Sequence, residues 1–229
     1  ARILDLNLTP VPSRTHRDRE AEYVTTLGLM AGTAGKIGNE IYTLMKQEFA
    51  EASEPVPPGT VGSSTMPQKQ NPVGPSVIVA AAAMVSSANG ALHAMGIQRH
   101  QRDGAAWFTE WAMLPQIVLG CAAALQQAVA LTGSLAPVPG SMQRNLAVGS
   151  GLIHAEALSF ALANMMPRPK AQAETKLLCK IALDEGKELE TVARATYPDL
   201  PLDLFEPASQ MGSAPEEARA FAARVRQLK

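Results

Sequence analysis

Aromatic side chains are scarce in this chain of 229 residues: Phe, Tyr and Trp make up 4% of it, although hydrophobic residues as a whole make up 46%. A β-sandwich depends on aromatic and β-branched side chains, so this composition favours closely packed helices with cores of Ala, Leu, Val, Ile and Met. No sustained alternation of apolar and polar residues indicates strands. We therefore predict an all-α fold.

Charge imbalance, cysteine clusters and long apolar runs are also lacking. A net charge of −1 gives no basis for binding nucleic acid or an anionic membrane surface. Cys121 and Cys179 stand in apolar contexts without metal-ligand spacing, which is typical of reduced core residues in a cytoplasmic protein. The apolar run 77–85 is far shorter than the roughly 20 residues that span a bilayer. The first residues show no signal-peptide pattern.

Motifs for metals and nucleotides are missing as well. The four histidines are too scattered for a metal motif, and no glycine-rich phosphate-binding motif occurs. We therefore expect neither a metal nor an organic cofactor. His16 and His100 remain candidates for neighbours of a substrate, whereas we expect structural roles for His93 and His154.

Apolar residues at spacings of three and four predict long helices in the first part of the chain. We expect Pro115 to kink or break the third of them. Glycines within the first helix indicate close contact between helices, because each costs about 1 kcal/mol relative to Ala. The predicted long helices cover residues 15–47, 72–96 and 106–131. Shorter ones are predicted over 141–146, 153–165, 170–185, 188–195 and 215–228. We expect a bundle segment over 1–136 and a helical C-terminal domain over 137–229.

The richest chemical feature is the run GSSTMPQKQNP at residues 62–72, within a loop predicted over 55–75. It crowds two hydroxyls, a cation and a carboxamide against the start of a helix, where backbone N–H groups attract anions. Lys69 and Asn71 add a charge and an amide donor. An ordinary surface loop rich in Gly, Ser and Pro is the alternative, but so many reactive groups together favour a functional site.

This run is similar to the signature loop of the fumarase/aspartase superfamily, G-S-S-x-M-P-x-K-x-N-P, and it matches every fixed position. Members add or eliminate across a carbon–carbon bond beside a carboxylate, through a carbanion-like intermediate. The resemblance implies that Ser63 is the catalytic base and that Ser64, Lys69 and Asn71 bind substrate. It also implies a small polycarboxylate substrate, no cofactor and assembly into a homotetramer.

The segment that begins at Arg102 narrows the range of possible substrates. Arg102 offers a forked cation suited to a carboxylate, and Asp103 is suited to cap the following helix; a helix entry with aromatics packed on the core is the alternative. Adenylosuccinate lyases carry R-D-x-S-x-S-x-x-E-R here, and its Ser and final Arg contact a phosphate. This chain has Ala105 or Trp107, and Trp111, at those positions. An indole cannot replace a guanidinium as a phosphate ligand, so these residues argue against a purine-nucleotide substrate.

The same segment resembles bacterial 3-carboxy-cis,cis-muconate cycloisomerases. Residues 15–22 and 71–78 resemble them too, which adds Thr15 to the expected substrate contacts. Ser76 supports the same resemblance. Adenylosuccinate lyases carry a Glu at this position, which orients a catalytic histidine, and this chain has a serine instead. The resemblance implies closure of a lactone by addition of a carboxylate oxygen across a double bond, in the β-ketoadipate pathway of aromatic catabolism.

The same resemblance implies that this chain is the C-terminal half of a longer enzyme and that the enzyme's N-terminal domain is absent from it. Superfamily sites are assembled from several subunits, so we expect the chain to be inactive alone. Two alternatives stay open. One is a different lyase of the superfamily, adenylosuccinate-lyase-like or fumarate-releasing, acting on another small polycarboxylate. The other is a helical assembly module without catalysis.

Overall fold

The computed structural model describes residues 13–55, 59, 66 and 71–228. These residues form an all-α chain, as predicted, and the part of the chain described contains eight α-helices. They are α1 Asp18–Leu44, α2 Val73–Ala94, α3 Gly104–Ser134, α4 Pro139–Ala147, α5 Ala155–Ala163, α6 Arg168–Glu185, α7 Leu189–Thr196 and α8 Ala214–Gln227. Two 3₁₀-helices cover Leu152–His154 and Pro207–Gln210.

A short antiparallel ladder joins β1, Ala52–Ser53, to β2, Ala136–Pro137. Each strand has two residues, too few for an alternating pattern to be read from sequence. The ladder ties the segment after α1 to the segment after α3. Val138 extends it by donating its backbone N–H to the carbonyl of Glu51.

The chain divides into two compact units, Ala1–Ser141 and Met142–Lys229. In the first unit, α1 and α2 run antiparallel: Thr25 contacts His93 near one end, and Gly38 approaches Ile78 near the other. Helices α1 and α3 run parallel, because the Cys121 thiol donates to the Leu27 carbonyl and Arg17 pairs with Glu110. The buried core consists of Val24, Ala31, Ala34, Ile41, Ile78, Val85, Leu92, Ile117, Cys121, Ala124, Ala128 and Leu131.

Small residues set the spacing between α1 and α2. A Cβ on Gly38 would lie 3.0 Å from the Pro75 carbonyl oxygen and 3.1 Å from the Ile78 Cβ, so any larger residue would press on α2. The expectation of close contact is confirmed at Gly38 but is wrong at Gly32, where a Cβ would meet nothing within 4 Å. Sequence spacing alone does not show which glycine faces the neighbouring helix.

Helix α3 runs through Pro115 without a break, so of the two predicted outcomes the break does not occur. Pro115 is exposed, and a proline removes only one helical hydrogen bond directly. One turn later the helix is anchored by Ile117 and Cys121, both almost completely buried. The Gln116 side-chain amide also donates to the Ala112 carbonyl at 2.8 Å.

Much apolar surface of α2 and α3 stays exposed. Met84, Leu119 and Val129 are 66%, 69% and 73% exposed. Judged by length and composition alone, both helices would suffice to cross a membrane, and the bent pair of α4 with the segment Leu152–Ala163 would make a third candidate. The sequence-based expectation counted only uninterrupted apolar runs, whereas these helices intersperse Gly and Ser among apolar residues.

The second unit has its own core, in which α5, α6 and α7 pack through leucines and small residues. Its buried members are Leu158, Leu162, Ala171, Leu178, Ala182, Leu189, Val192, Ala193, Leu200, Leu204 and Phe205. Helix α6 ends at Gly186, which has φ of +62°, a conformation suited to glycine at a helix C-terminus. Arg194 ties α7 to the following loop by donating to the carbonyls of Leu200, Pro201 and Leu202.

Candidate active site

The signature loop meets the described structure at its last two residues. Ser63, Ser64 and Lys69 lie outside the described residues, so their roles stay predictions. Asn71 is exposed, and its backbone carbonyl accepts a hydrogen bond from the N–H of Val73, the first residue of α2, at 2.9 Å. The predicted loop therefore leads directly into a helix N-terminus.

The N–H groups at that terminus are already engaged. Gly74 donates to the Oε2 atom of Glu54 at 3.3 Å, and Ser76 donates to the Pro72 carbonyl at 3.1 Å. Pro75 has no N–H. The expectation that this helix start binds a substrate anion is thus corrected, since its donors are taken by Glu54 and by local carbonyls. The roles of Lys69 and Asn71 in anion binding stay predictions.

Glu54 is the residue that sequence reasoning missed here. It follows β1, and a Cβ on Gly74 would lie 2.5 Å from its Oε1 atom and 3.0 Å from Nε2 of Gln127. Gly74 thus admits the carboxylate to the helix terminus, where the dipole favours negative charge. The Ser76 hydroxyl donates to the Pro72 carbonyl at 2.6 Å, so it stabilises the helix start. The only signal in the sequence was a glycine one residue into the helix.

Thr15 lies at the opposite end of the three long helices, where α1 begins and α2 ends. It is half-buried and lines a cavity of about 310 Å³. The other lining residues are His16, Arg17, Asp18, Ala21, His93 and Gly96. The Nε2 atom of His93 lies 3.0 Å from the Thr25 hydroxyl. His93, expected to be structural, is therefore also a neighbour of Thr15, because antiparallel packing brings the end of α2 to the start of α1.

An ion pair fixes the start of α1 against α3. The Nε atom of Arg17 lies 2.5 Å from Oε2 of Glu110, and the two side chains are only 14% and 15% exposed. Charged groups this well buried are held by their partner, since either one alone would lose its hydration without compensation. Arg17 lines the same cavity as Thr15, which lies two residues before it.

Arg102 and Asp103 behave differently although they are adjacent. Asp103 is buried and caps α3 by accepting from the N–H groups of Ala105 and Ala106, which confirms the predicted cap. The Arg99 guanidinium and backbone N–H also donate to Asp103, and they hold the pKa of its carboxyl well below its usual range. Arg102 is exposed and pairs with no described residue, so its guanidinium is available to an anionic ligand.

The predicted site residues that the structure describes do not meet within one chain. Asn71 precedes α2, whereas Thr15 and Arg102 lie where α2 ends. A helix of 22 residues is about 33 Å long, so these groups lie on the order of 30 Å apart. We call the region of Glu54, residues 71–76 and Gln127 the loop end, and the region of residues 13–21, 93–103 and Glu110 the far end.

Two tryptophans of α3, on either side of Glu110, concern the identity of the substrate. Trp111 is 62% exposed, and its ring packs edge-to-face with Phe108 at a centroid distance of 5.6 Å. Trp107 is half-buried, and its indole N–H has no hydrogen-bond partner among the described residues. Neither ring offers a cation for a phosphate.

Comparison with known proteins supports the resemblance that the sequence motifs indicated. Residues 8–87 match the model of a lyase family. The 3-carboxy-cis,cis-muconate cycloisomerase of Pseudomonas aeruginosa is 38% identical over 93% of this chain and 48% of that protein. An N-acetyl-S-(2-succino)cysteine lyase of Dickeya dadantii is 30% identical over 93% of this chain and 49% of that protein.

The fold is shared as well. The crystal structure of the 3-carboxy-cis,cis-muconate lactonizing enzyme from Pseudomonas putida superimposes with a TM-score of 0.84 at 36% identity, over 97% of this chain and 50% of that one. This chain thus spans about half the length of the relatives it matches. The similarity in sequence runs through the signature loop, both ends of the long helices and the second unit, and the chain therefore belongs to the fumarase/aspartase superfamily of lyases.

Proposed function

We propose that the protein carrying this chain is a cytoplasmic cycloisomerase of aromatic catabolism that interconverts 3-carboxy-cis,cis-muconate and a carboxymuconolactone. The observation that carries this proposal is the similarity to muconate cycloisomerases over nearly the whole chain, together with a complete signature loop. The exposed, unpaired Arg102 supports it, since an anionic substrate needs such cations.

The reaction closes a ring within one molecule. A carboxylate oxygen of the substrate adds to one carbon of a double bond, and a proton is delivered to the adjacent carbon. In the direction of lactone opening, Ser63 removes that proton while the carbon–oxygen bond breaks. Lys69 and Asn71 stabilise the carbanion as an aci-carboxylate, because preorganised donors act where negative charge develops. Ser64, Thr15 and Arg102 hold substrate carboxylates.

The separation of the loop end from the far end favours sites that are built from more than one chain. We propose a homo-oligomer, a tetramer as in related enzymes, in which the loop end of one subunit meets the far end of another. The apolar residues exposed on α2 and α3 support this assembly, since large exposed apolar patches mark interfaces. A bilayer suits this surface less well. Lys36 and Glu40 are exposed on α1, which packs along both helices, and they would enter the hydrocarbon.

The test is an assay of the full-length protein with carboxymuconate. We expect lactone formation, and replacement of Ser63 by Ala should lower kcat by about 10²–10⁴-fold, the range for losing a general base. Ser86→Ala removes an exposed hydroxyl in α2 and is the matched control, with activity unchanged. The 229-residue chain alone should be inactive. Absence of cyclisation by the full-length protein would refute the substrate, and an active Ser63→Ala variant would refute the mechanism.

A second function on the same scaffold is elimination from a different polycarboxylate with release of fumarate. The similarity to the N-acetyl-S-(2-succino)cysteine lyase favours it as the alternative. Parallel assays with carboxymuconate and with succinylated thiols separate the two functions. Fumarate release without lactone formation would replace our first assignment. If neither product forms and Ser63→Ala changes nothing, the chain is a helical assembly module.

A further inference from the structure

The second unit contains a cavity that the proposed reaction does not use. Its volume is about 310 Å³, far above the roughly 15 Å³ that one water molecule requires by the same kind of measure. Its wall contains both apolar and polar residues. The lining residues are Gln143, Leu146, Ala147, Gly151, His154, Glu188, Glu190, Phe205 and Pro207.

His154 is the buried polar group in that wall. The residue is only 8% exposed, and its imidazole makes no hydrogen bond to any described residue. Its Nδ1 atom is fully buried, and the ring packs edge-to-face with Phe205 at a centroid distance of 5.8 Å. Buried polar groups nearly always have a partner, because an unmade hydrogen bond costs free energy. An imidazole without a partner in a cavity wall points to a ligand.

Two glutamates also line the cavity, and they differ in whether an ion pair compensates their charge. Glu190 pairs with Arg194, whose Nε lies 2.8 Å from its Oε1 atom, so its charge is largely compensated. Glu188 is exposed and forms no ion pair with a described residue. The cavity therefore carries a net negative charge.

The backbone brings Glu188 towards the segment that carries His154. Gly151 directly precedes the 3₁₀-helix Leu152–His154 and has φ of +70°. A Cβ on Gly151 would lie 3.2 Å from Oε2 of Glu188, so the carboxylate lies close over this glycine. The N–H of Leu189 donates to the Ser150 carbonyl at 2.9 Å and fixes the start of α7 against the same turn.

We propose that this cavity binds a small primary alkylammonium ion. The ammonium group donates to the Glu188 carboxylate and to Nε2 of His154, the ring nitrogen that is not fully buried, and the alkyl chain packs on Leu146, Phe205 and Pro207. A metal ion fits less well, since no group of three His, Cys, Asp or Glu residues in the described structure is arranged to hold one. An anionic ligand would face an uncompensated carboxylate.

The experiment is calorimetric titration of the full-length protein with n-butylammonium chloride, at constant ionic strength. We expect saturable binding of one ligand per chain. Glu188→Gln and His154→Leu should each weaken it about tenfold or more, as for loss of a charge-assisted hydrogen bond. Glu156→Gln removes an exposed carboxylate of α5, outside the cavity, and should leave binding unchanged.

Tetramethylammonium distinguishes a donor site from a merely acidic surface, because it has the charge without N–H groups. It should bind at least tenfold more weakly than butylammonium, because it cannot form the charge-assisted hydrogen bonds. Equal binding of the two cations, no saturable binding of butylammonium, or unchanged binding by Glu188→Gln would each overturn the proposal. The Glu188 variant keeps the shape of the side chain at an exposed position, so the test does not depend on the folding of the His154 variant.

Discussion

The two ends of the long-helix unit are built differently. At the far end, charged pairs anchor the helices: Arg17 to Glu110, and Arg99 to Asp103, which caps α3. At the loop end, a short ladder and a carboxylate hold the chain, with Glu54 at the first turn of α2. Residues assigned to one reaction lie at both ends, separated by the length of α2. Under the proposed function, this difference means that one chain supplies parts of two sites and that the reaction depends on how chains combine.

The largest expected effect follows from that separation. Ser63→Ala and Arg102→Ala should each inactivate the full-length enzyme, the first through proton transfer and the second through substrate binding. When the two inactive variants are unfolded together and reassembled, some sites receive a normal loop end and a normal far end from different chains. Activity should then return to about a quarter of the wild-type value for random mixing in a symmetric oligomer.

Turnover of carboxymuconate by the mixed oligomer is the measurement, and each variant reassembled by itself is the control. A mixture as inactive as its components would mean that Ser63 and Arg102 serve the same site from one chain. The comparison of the two ends would then fail, because it assigns Ser63, with Asn71, to the loop end and Arg102 to the far end.

The next effect tests the anchor at the far end. Glu110→Ala leaves the mostly buried Arg17 guanidinium without its partner, and we expect a loss of about 2 kcal/mol in the free energy of unfolding. Glu40→Ala removes an exposed carboxylate from α1 and should change stability by no more than about 0.5 kcal/mol. Denaturant titration measures both. Equal stability of the two variants would show that the pair does not anchor α1.

A smaller effect is expected where α1 approaches the loop end. Gly38→Ala places a methyl group 3.0 Å from the Pro75 carbonyl oxygen and should cost about 1–2 kcal/mol by overpacking. Gly32→Ala in the same helix has open space and should stabilise by about 0.5–1 kcal/mol, because alanine favours helix. The two variants should shift the midpoint of thermal unfolding in opposite directions. A shift in the same direction would contradict the close approach of the helices at Gly38.

Local sequence patterns predicted the helices well, because apolar spacing and capping residues act within a few residues of each other. Asp103 shows this, since its cap depends only on the next three residues. The role of Gly38 compared with Gly32, and the meeting of His93 with Thr15, depend on how helices pack across the chain. Glu54 at the start of α2 is a tertiary contact of the same kind. The resemblance supplied site residues but not their positions, which is why their separation emerged only from the structure.

The smallest effect concerns the pH dependence of the far end. The pKa of Asp103 is lowered in the folded chain, chiefly by hydrogen bonds from Arg99, so its contribution to stability is complete above its unfolded pKa of about 3.9. That contribution is lost as the pH falls through the folded pKa. Asp103→Asn keeps a good helix cap but cannot titrate. The wild type should therefore be more stable than this variant near neutrality, and the gap should narrow as the pH falls below about 4. In Arg99→Met the carboxyl loses its strongest donor, so its contribution should be smaller and should be lost completely at a higher pH than in the wild type. A gap between wild type and Asp103→Asn that stayed constant from neutrality to pH values below about 4 would show that Asp103 acts at the far end as a cap alone.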